Sequence, residues 1–141
     1  MKKLWSFLFL MILCFAGCQS PLQKQKNEML EVYGNDENYI TLTGEVIEVE
    51  SLDARDRIVV KSDDIKEHFP AEDSECEYLI FADTPLDIAV GEVITYTTVK
   101  VRFDGKDWLP IVGLSKNDEM LLESEDGKEN LLAWVNQLQY K

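Results

Sequence analysis

The sequence is poor in the residues from which most active sites are built. It contains one histidine, three cysteines and seven glycines among 141 residues. Because His68 is the only imidazole, metal and catalytic sites built from several histidines are excluded. There is no glycine-rich phosphate-binding loop and no serine nucleophile motif, which excludes the common signatures of nucleotide-binding proteins and serine hydrolases.

Basic residues are also scarce. The chain has 14 lysines and arginines against 27 acidic residues, which gives a formal net charge of −13. A charge of this sign repels phosphate backbones and anionic lipid headgroups. Nucleic acid is therefore a poor general partner for this protein.

Long apolar runs are confined to the N-terminus. Met1–Lys3 is a short basic segment, and the mostly apolar run Leu4–Phe15 follows it. This order is typical of a secretory signal peptide. The run is shorter than the ~20 apolar residues that a helix needs to cross the hydrocarbon core. A stable membrane span is not expected.

Small residues precede the second cysteine of this leader. Ala16 and Gly17 stand immediately before Cys18, and this stretch resembles the lipobox of bacterial lipoproteins, although Phe15 stands where that family usually has leucine. The resemblance implies that a diacylglycerol is attached to the Cys18 thiol and that residues 1–17 are removed. Cys14 is expected to be lost with the leader because the bulky Leu13 precedes it.

Two other outcomes remain open for the leader: an uncleaved anchor helix, or cleavage without lipidation. A diacylglyceryl group would hold the protein stably, because two acyl chains anchor a protein where one binds only marginally. We therefore predict a lipid-anchored protein that faces the periplasm or the exterior. In a host with two membranes, Gln19 after the anchor favours the outer membrane.

Removal of the leader takes away two lysines and no acidic residue. The mature chain would carry 12 basic and 27 acidic residues, a formal charge of −15, within the length of one domain. Cys76 would keep the only free thiol, so no internal disulfide could form. We expect Cys76 to be a small buried core residue rather than a reactive nucleophile, because no convincing partner base is visible.

The mature chain divides by composition into a tether and a β-rich domain. Residues 18–38 are rich in Gln, Lys, Asn and Glu, and are predicted to be a tether with about one helical turn. Residues 39–141 are predicted to hold five strands, with a bulge at Gly44, and a C-terminal helix whose capping box pairs Asp126 with Glu129. A hairpin around Gly127 is the alternative to that helix. The predicted strands are Tyr39–Glu50, Arg57–Lys61, Cys76–Ala82, Val93–Phe103 and Trp108–Leu114.

Residues 39–114 resemble an OB-fold. The resemblance rests on the five strands, on the long glycine-containing first strand and on the insertion between the second and third strands. The fold class is accordingly predicted as mainly β, a small five-stranded OB-like barrel with a C-terminal helix. A generic small β-sandwich or half-open barrel is the alternative. OB-folds bind oligonucleotides or oligosaccharides through their middle strands and loops.

The candidate ligand-binding residues are Tyr96, Lys100 and Arg102. Strict alternation over Val93–Phe103 puts these three on the predicted solvated face of the fourth strand, as an aromatic ring beside two cations. In the alternative interpretation, Lys100 and Arg102 pair with surface acids and Tyr96 packs against a helix.

The acidic insertion around His68 is a candidate for metal binding and for hydrolysis. Its carboxylates and Cys76 lack the ligand spacing of calcium or zinc sites, so no metal and no cofactor is predicted. We predict a non-catalytic, lipid-anchored binding or scaffolding protein whose partner is another envelope protein. The alternatives are an envelope hydrolase that uses His68 with nearby carboxylates, and an OB-type binder of glycans or nucleic acid.

Overall fold

The protein is described by a computed structural model that covers residues 21–52, 55–70, 72–103 and 106–138, with side chains left out for residues 102–107. The predicted signal peptide of residues 1–17 and the predicted lipidation site Cys18 lie outside these ranges. In chain order the elements are α1 (Pro21–Tyr33), a 3₁₀ helix (Asp36–Asn38), β1 (Ile40–Ser51), β2 (Asp56–Lys61), α2 (Ile65–His68), β3 (Glu75–Ile80), β4 (Val93–Thr98), β5 (Val101–Phe103), β6 (Lys106–Trp108), β7 (Pro110–Lys116), β8 (Glu119–Leu122) and α3 (Ser124–Asn136).

Five strands form a closed barrel. Antiparallel pairs join β3 to β2, β2 to β1, β1 to β4 and β4 to β7. The barrel closes through a parallel pair between β3 and β7, in which Leu79 is opposite Pro110 and Ile80 is opposite Ile111. This confirms the predicted fold, a mainly β, OB-like barrel of five strands with a C-terminal helix.

Two apolar cores stabilise the molecule. The first fills the barrel with inward-facing residues such as Leu42, Val46, Ile58, Ile80 and Ile111, all at most 1% exposed. The second lies outside the barrel, where α3 packs against β7 and α1 packs against α3 and β5. Its buried residues are Met29, Tyr33, Phe81, Val99, Val101, Val112, Leu131 and Val135. The two helices are therefore part of the folded domain.

The prediction of a tether over residues 18–38 is wrong for the described part of that range. Helix α1 spans 13 residues, and Met29 and Tyr33 on it are buried. Its Lys26 Nζ donates a hydrogen bond to the Asn136 carbonyl oxygen at the end of α3 (3.2 Å). The polar composition of this segment does not indicate helix α1, because the helix is stabilised by tertiary packing of its one apolar face.

The bulge in β1 lies at Ile47 and not at Gly44. Gly44 pairs in register with Ile94, whereas the pairing with β2 shifts between Val46 and Glu48. A Cβ atom at Gly44 would lie 2.6 Å from the Lys61 carbonyl oxygen. The glycine therefore permits close approach of two backbones rather than marking the irregularity.

The predicted fourth strand is interrupted after Thr98. In its first half, the buried and exposed faces are the reverse of those predicted. β4 ends at Thr98, and its buried residues are Ile94, Tyr96 and Thr98. The side-chain phase changes after Thr98, because Val99 and Val101 are also buried. The Thr98 hydroxyl donates to the Pro110 carbonyl oxygen (2.7 Å) at the point where the pairing with β7 shifts register. β5 and β6 then form a separate hairpin.

The C-terminal helix is confirmed, and the hairpin alternative is wrong. Helix α3 runs from Ser124 to Asn136 with Gly127 buried inside it. The predicted capping box is wrong, because the N-cap is Glu123 and makes no side-chain capping bond. No helix in the described part of the chain is both long and apolar enough to span a membrane.

Candidate functional site

The structure does not present Tyr96 on the barrel surface. Its side chain is 1% exposed inside the barrel, where its ring packs edge-on against Tyr78 at 4.9 Å between centroids. The two hydroxyl oxygens are 2.9 Å apart, and burial raises the pKa of both phenols. The prediction that Tyr96 lies on the solvated face is therefore wrong, because the strand phase was assigned from alternation alone.

The Tyr78–Tyr96 hydrogen bond should show strong coupling in a double-mutant cycle. Tyr96→Phe would leave the buried Tyr78 hydroxyl without this partner, and we expect a loss of about 1–3 kcal/mol in unfolding free energy. Adding Tyr78→Phe removes that orphaned group, so the double variant should cost less than the sum of the single ones. Urea denaturation measures all three values, and simple additivity would contradict the coupling.

Lys100 does not form one surface with Tyr96, because Tyr96 is buried inside the barrel. Lys100 Nζ contacts Glu72 Oε1 at 3.0 Å and lies 5.8 Å from the centroid of the Phe69 ring. Arg102 belongs to β5, and its side chain lies outside the described part of the structure. The alternative in which Lys100 pairs with an acid is confirmed, whereas a ligand role for Lys100 and Arg102 stays a prediction.

The acidic insertion carries little that resembles an active centre. His68 is exposed at the end of α2, and no hydrogen bond joins it to a carboxylate among the residues described here. Cys76 is buried as predicted; its Sγ donates to the Asp73 carbonyl oxygen (3.0 Å), and burial raises the pKa of the thiol to about 11. Within the described ranges, no group of three or more His, Cys, Asp or Glu residues could hold a metal ion.

A different site forms where the β1–β2 turn meets α3. Arg55, in that turn, has its guanidinium carbon 4.1 Å from the centroid of the Phe81 ring and 5.8 Å from that of Trp134. Phe81 follows β3 and packs edge-on against Trp134 of α3 at 5.5 Å. Trp108, at the end of β6, lies 6.1 Å from Trp134. Four segments of the chain thus supply one cation and three aromatic rings.

Arg55 differs from Arg57 and from three of the lysines because no carboxylate in the described part of the chain pairs with it. Within the described ranges, no acidic side chain lies in ion-pair distance of Arg55, whereas Arg57 contacts Glu48, Glu50 and Glu77. Lysines 100, 116 and 128 each contact an acidic residue as well. Partial burial lowers the pKa of Arg55 from its ordinary value. The guanidinium is thus held by aromatic contacts in a strongly acidic protein.

Two cavities flank Arg55. The first, of about 220 Å³, is lined by Arg55, Phe81, Ala82, Asp83, Asn130, Ala133, Trp134 and Gln137. The second, of about 140 Å³, lies on the side of Asp56 and Pro85. Asn130 Nδ2 donates to the Phe81 carbonyl oxygen (3.0 Å), which ties α3 to the segment after β3. We call the first cavity and its lining residues the Arg55 site.

Sequence reasoning missed this site. Its one local signal was the presence of Trp108 and Trp134, the only tryptophans outside the leader. Arg55, in the short polar stretch between β1 and β2, had no feature that set it apart. The four segments are far apart in the chain, and only closure of the barrel and docking of α3 bring them together.

No protein-family model matches the sequence, and no curated protein sequence matches it. Solved structures with a similar shape include a Replication Protein A heterotrimer bound to ssDNA, with a TM-score of 0.42, 10% identity, and coverage of 71% of this chain and 70% of that chain. A copper(II)-bound CusF variant from Escherichia coli has a TM-score of 0.36, 21% identity, and coverage of 55% of this chain and 92% of that chain. Similarities this low carry no argument about function.

Proposed function

We propose that this protein is a lipid-anchored, non-catalytic binding protein of the bacterial cell envelope that holds another envelope protein at the Arg55 site. The observation that carries the proposal is an arginine held against Phe81 and Trp134 without a carboxylate partner in the described structure. Arginine and large aromatic residues are the side chains most enriched among binding hot spots.

The position of the site supports a binding role. Arg55 lies between the first two barrel strands, and Trp108 lies in the segment that joins the fourth barrel strand, β4, to the fifth, β7. In OB-folds the loops at these two places take part in ligand binding. The analogy concerns the fold alone, so the class of partner is argued from charge. With a net charge of −13, a protein partner is favoured over nucleic acid.

The proposed anchor would hold this domain close to the membrane. Helix α1 begins at Pro21, so only Gln19 and Ser20 separate it from Cys18. Three residue steps span at most ~11 Å even when fully extended. A lipid on Cys18 would therefore keep the barrel at the lipid surface, where its partners would be membrane proteins or proteins close to the membrane.

Photo-cross-linking in living cells tests this proposal. With the native leader kept, a photoreactive residue at the exposed Gln137, on the rim of the Arg55 site, should yield one dominant protein adduct. The matched control is the exposed Glu119, which pairs with Lys116 at the opposite end of β7 from Pro110 and should yield no such adduct. The proposal is wrong if Gln137 gives no adduct under varied growth conditions, or if both positions give the same adducts.

A further inference from the structure

The Arg55 guanidinium retains its hydrogen-bonding capacity. A guanidinium has five N–H donors in a planar fork, and the aromatic rings beside it offer no oxygen acceptors. Among the residues that the structure describes, no oxygen accepts a hydrogen bond from this side chain, whereas Arg57 donates to Glu48, Glu50 and Glu77. A planar anion with two oxygens would match the free edge of the fork.

We infer that the Arg55 site recognises a carboxylate, and that in the complex of the proposed function this group is the C-terminal carboxylate of the partner chain. The inference rests on the proposed function for the identity of the partner. It adds the chemical group that the site binds and the residue that binds it.

The charges around the site favour an anion with a single negative charge. Among the lining residues that the structure describes, Arg55 is the only cation in either cavity, while Asp83 lines both and Asp56 lines the smaller one. One guanidinium neutralises one carboxylate, whereas a phosphate would bring about 1.5–2 negative charges at neutral pH to this acidic protein. The second charge of a phosphate would be left beside Asp83 and Asp56.

The size and lining of the site favour a chain end. The larger cavity, of about 220 Å³, is smaller than the ~300–1,000 Å³ of pockets that enclose whole small-molecule ligands. It suits one terminal residue that enters from solvent. Trp134, which is only partly buried, offers ring surface to an apolar side chain. Gln137 and the Oδ1 atom of Asn130 offer polar groups to a peptide backbone, because Asn130 Nδ2 is already bound to the Phe81 carbonyl oxygen.

The test uses the full chain in detergent and two peptides of the same sequence. Both are N-acetylated and end in an apolar residue; one has a free C-terminal carboxylate and the other a C-terminal amide. Binding is followed by tryptophan fluorescence, since Trp134 lines the site and Trp108 lies beside it. We expect the free-acid peptide to bind at least tenfold more tightly than the amide. Inorganic phosphate at equal concentration should not displace it.

Three variants assign the effect to Arg55. Arg55→Gln should abolish the preference for the free acid, and Arg55→Lys should reduce it, since lysine keeps the charge and loses the fork. Arg57→Gln is the matched control, because it removes the same charge two residues away from a side chain that faces Glu48, Glu50 and Glu77. This variant should keep the preference. Circular dichroism confirms that each variant is folded.

Several results would overturn the inference: equal affinity for the acid and the amide, no binding of either peptide at millimolar concentration, tighter binding of phosphate, or a preference that survives Arg55→Gln. These failures are distinct from failure of the proposed function. A protein adduct at Gln137 without a carboxylate preference would leave the binding function standing and remove only this inference. A carboxylate preference without an adduct would remove the protein partner and keep the carboxylate site.

Discussion

Replacing Gly127 by valine is expected to prevent the protein from folding. Gly127 is buried inside α3, and a Cβ atom at this position would overlap the carbonyl oxygen of Val112 in β7. That oxygen cannot move aside, because neighbouring residues of β7 pair with β4 on one edge of the strand and with β3 and β8 on the other. The helix would have to separate from the barrel and expose the core that it shares with α1.

Replacing Gly127 by alanine tests whether an added methyl group at this position stabilises or destabilises the protein. In an exposed helix, Gly→Ala stabilises by about 1 kcal/mol. Here the methyl group meets backbone, and overpacking of this kind costs about 1–3 kcal/mol or more. We therefore expect Gly127→Ala to lower the urea midpoint and Gly127→Val to leave no cooperative transition. For comparison, Glu125→Ala, on the exposed face of the same helix, should change the midpoint little. A wild-type midpoint for Gly127→Val would show that α3 does not dock through this contact.

Substitution of Cys18 by serine is expected to remove the protein from membranes or to leave it as an uncleaved precursor. Serine has no thiol to receive the diacylglyceryl group, and the two acyl chains would be the source of stable attachment, since each buried methylene contributes about 0.8 kcal/mol. Membrane fractionation, gel mobility and labelling with a radioactive fatty acid measure the change. We expect labelling to disappear completely in Cys18→Ser.

Cys14→Ser is the matched control, because it changes the same atom four residues earlier in the same leader. It should leave labelling, size and membrane attachment unchanged. A Cys18→Ser protein that is cleaved to the mature size and still sediments with membranes would contradict lipid anchoring. Loss of labelling in Cys14→Ser instead would show that the wrong cysteine was assigned.

Much of the fold could be predicted because its signals are local. The alternation in the strands and the three- and four-residue spacing of Leu131, Trp134, Val135 and Leu138 predicted the barrel class and helix α3. The same method failed at α1, because its short apolar set stands in a polar segment and is stable only when packed on α3. It also failed at β4, because a register shift next to Thr98 reverses the phase without any local sign in the sequence.

The candidate site was less predictable than the fold. Alternation predicts Tyr96 on the surface, yet Tyr96 lies in the barrel interior, because β4 presents Ile94, Tyr96 and Thr98 inward. Nothing in the sequence distinguishes Arg55, since an arginine in a polar turn is ordinary until its neighbours are known. Its contacts with Phe81 and Trp134 join segments that lie far apart in the chain.

The sequence by itself determined the acidic charge, the predicted leader with Cys18, the OB-like class of the barrel and the presence of a C-terminal helix. These properties depend on composition and on short-range periodicity, which are present in the chain before it folds. Only the tertiary structure decided which face of β4 is buried, that α1 belongs to the domain, and that Arg55 meets Phe81 and Trp134. These features depend on strand register and on barrel closure, which are set by contacts between distant residues.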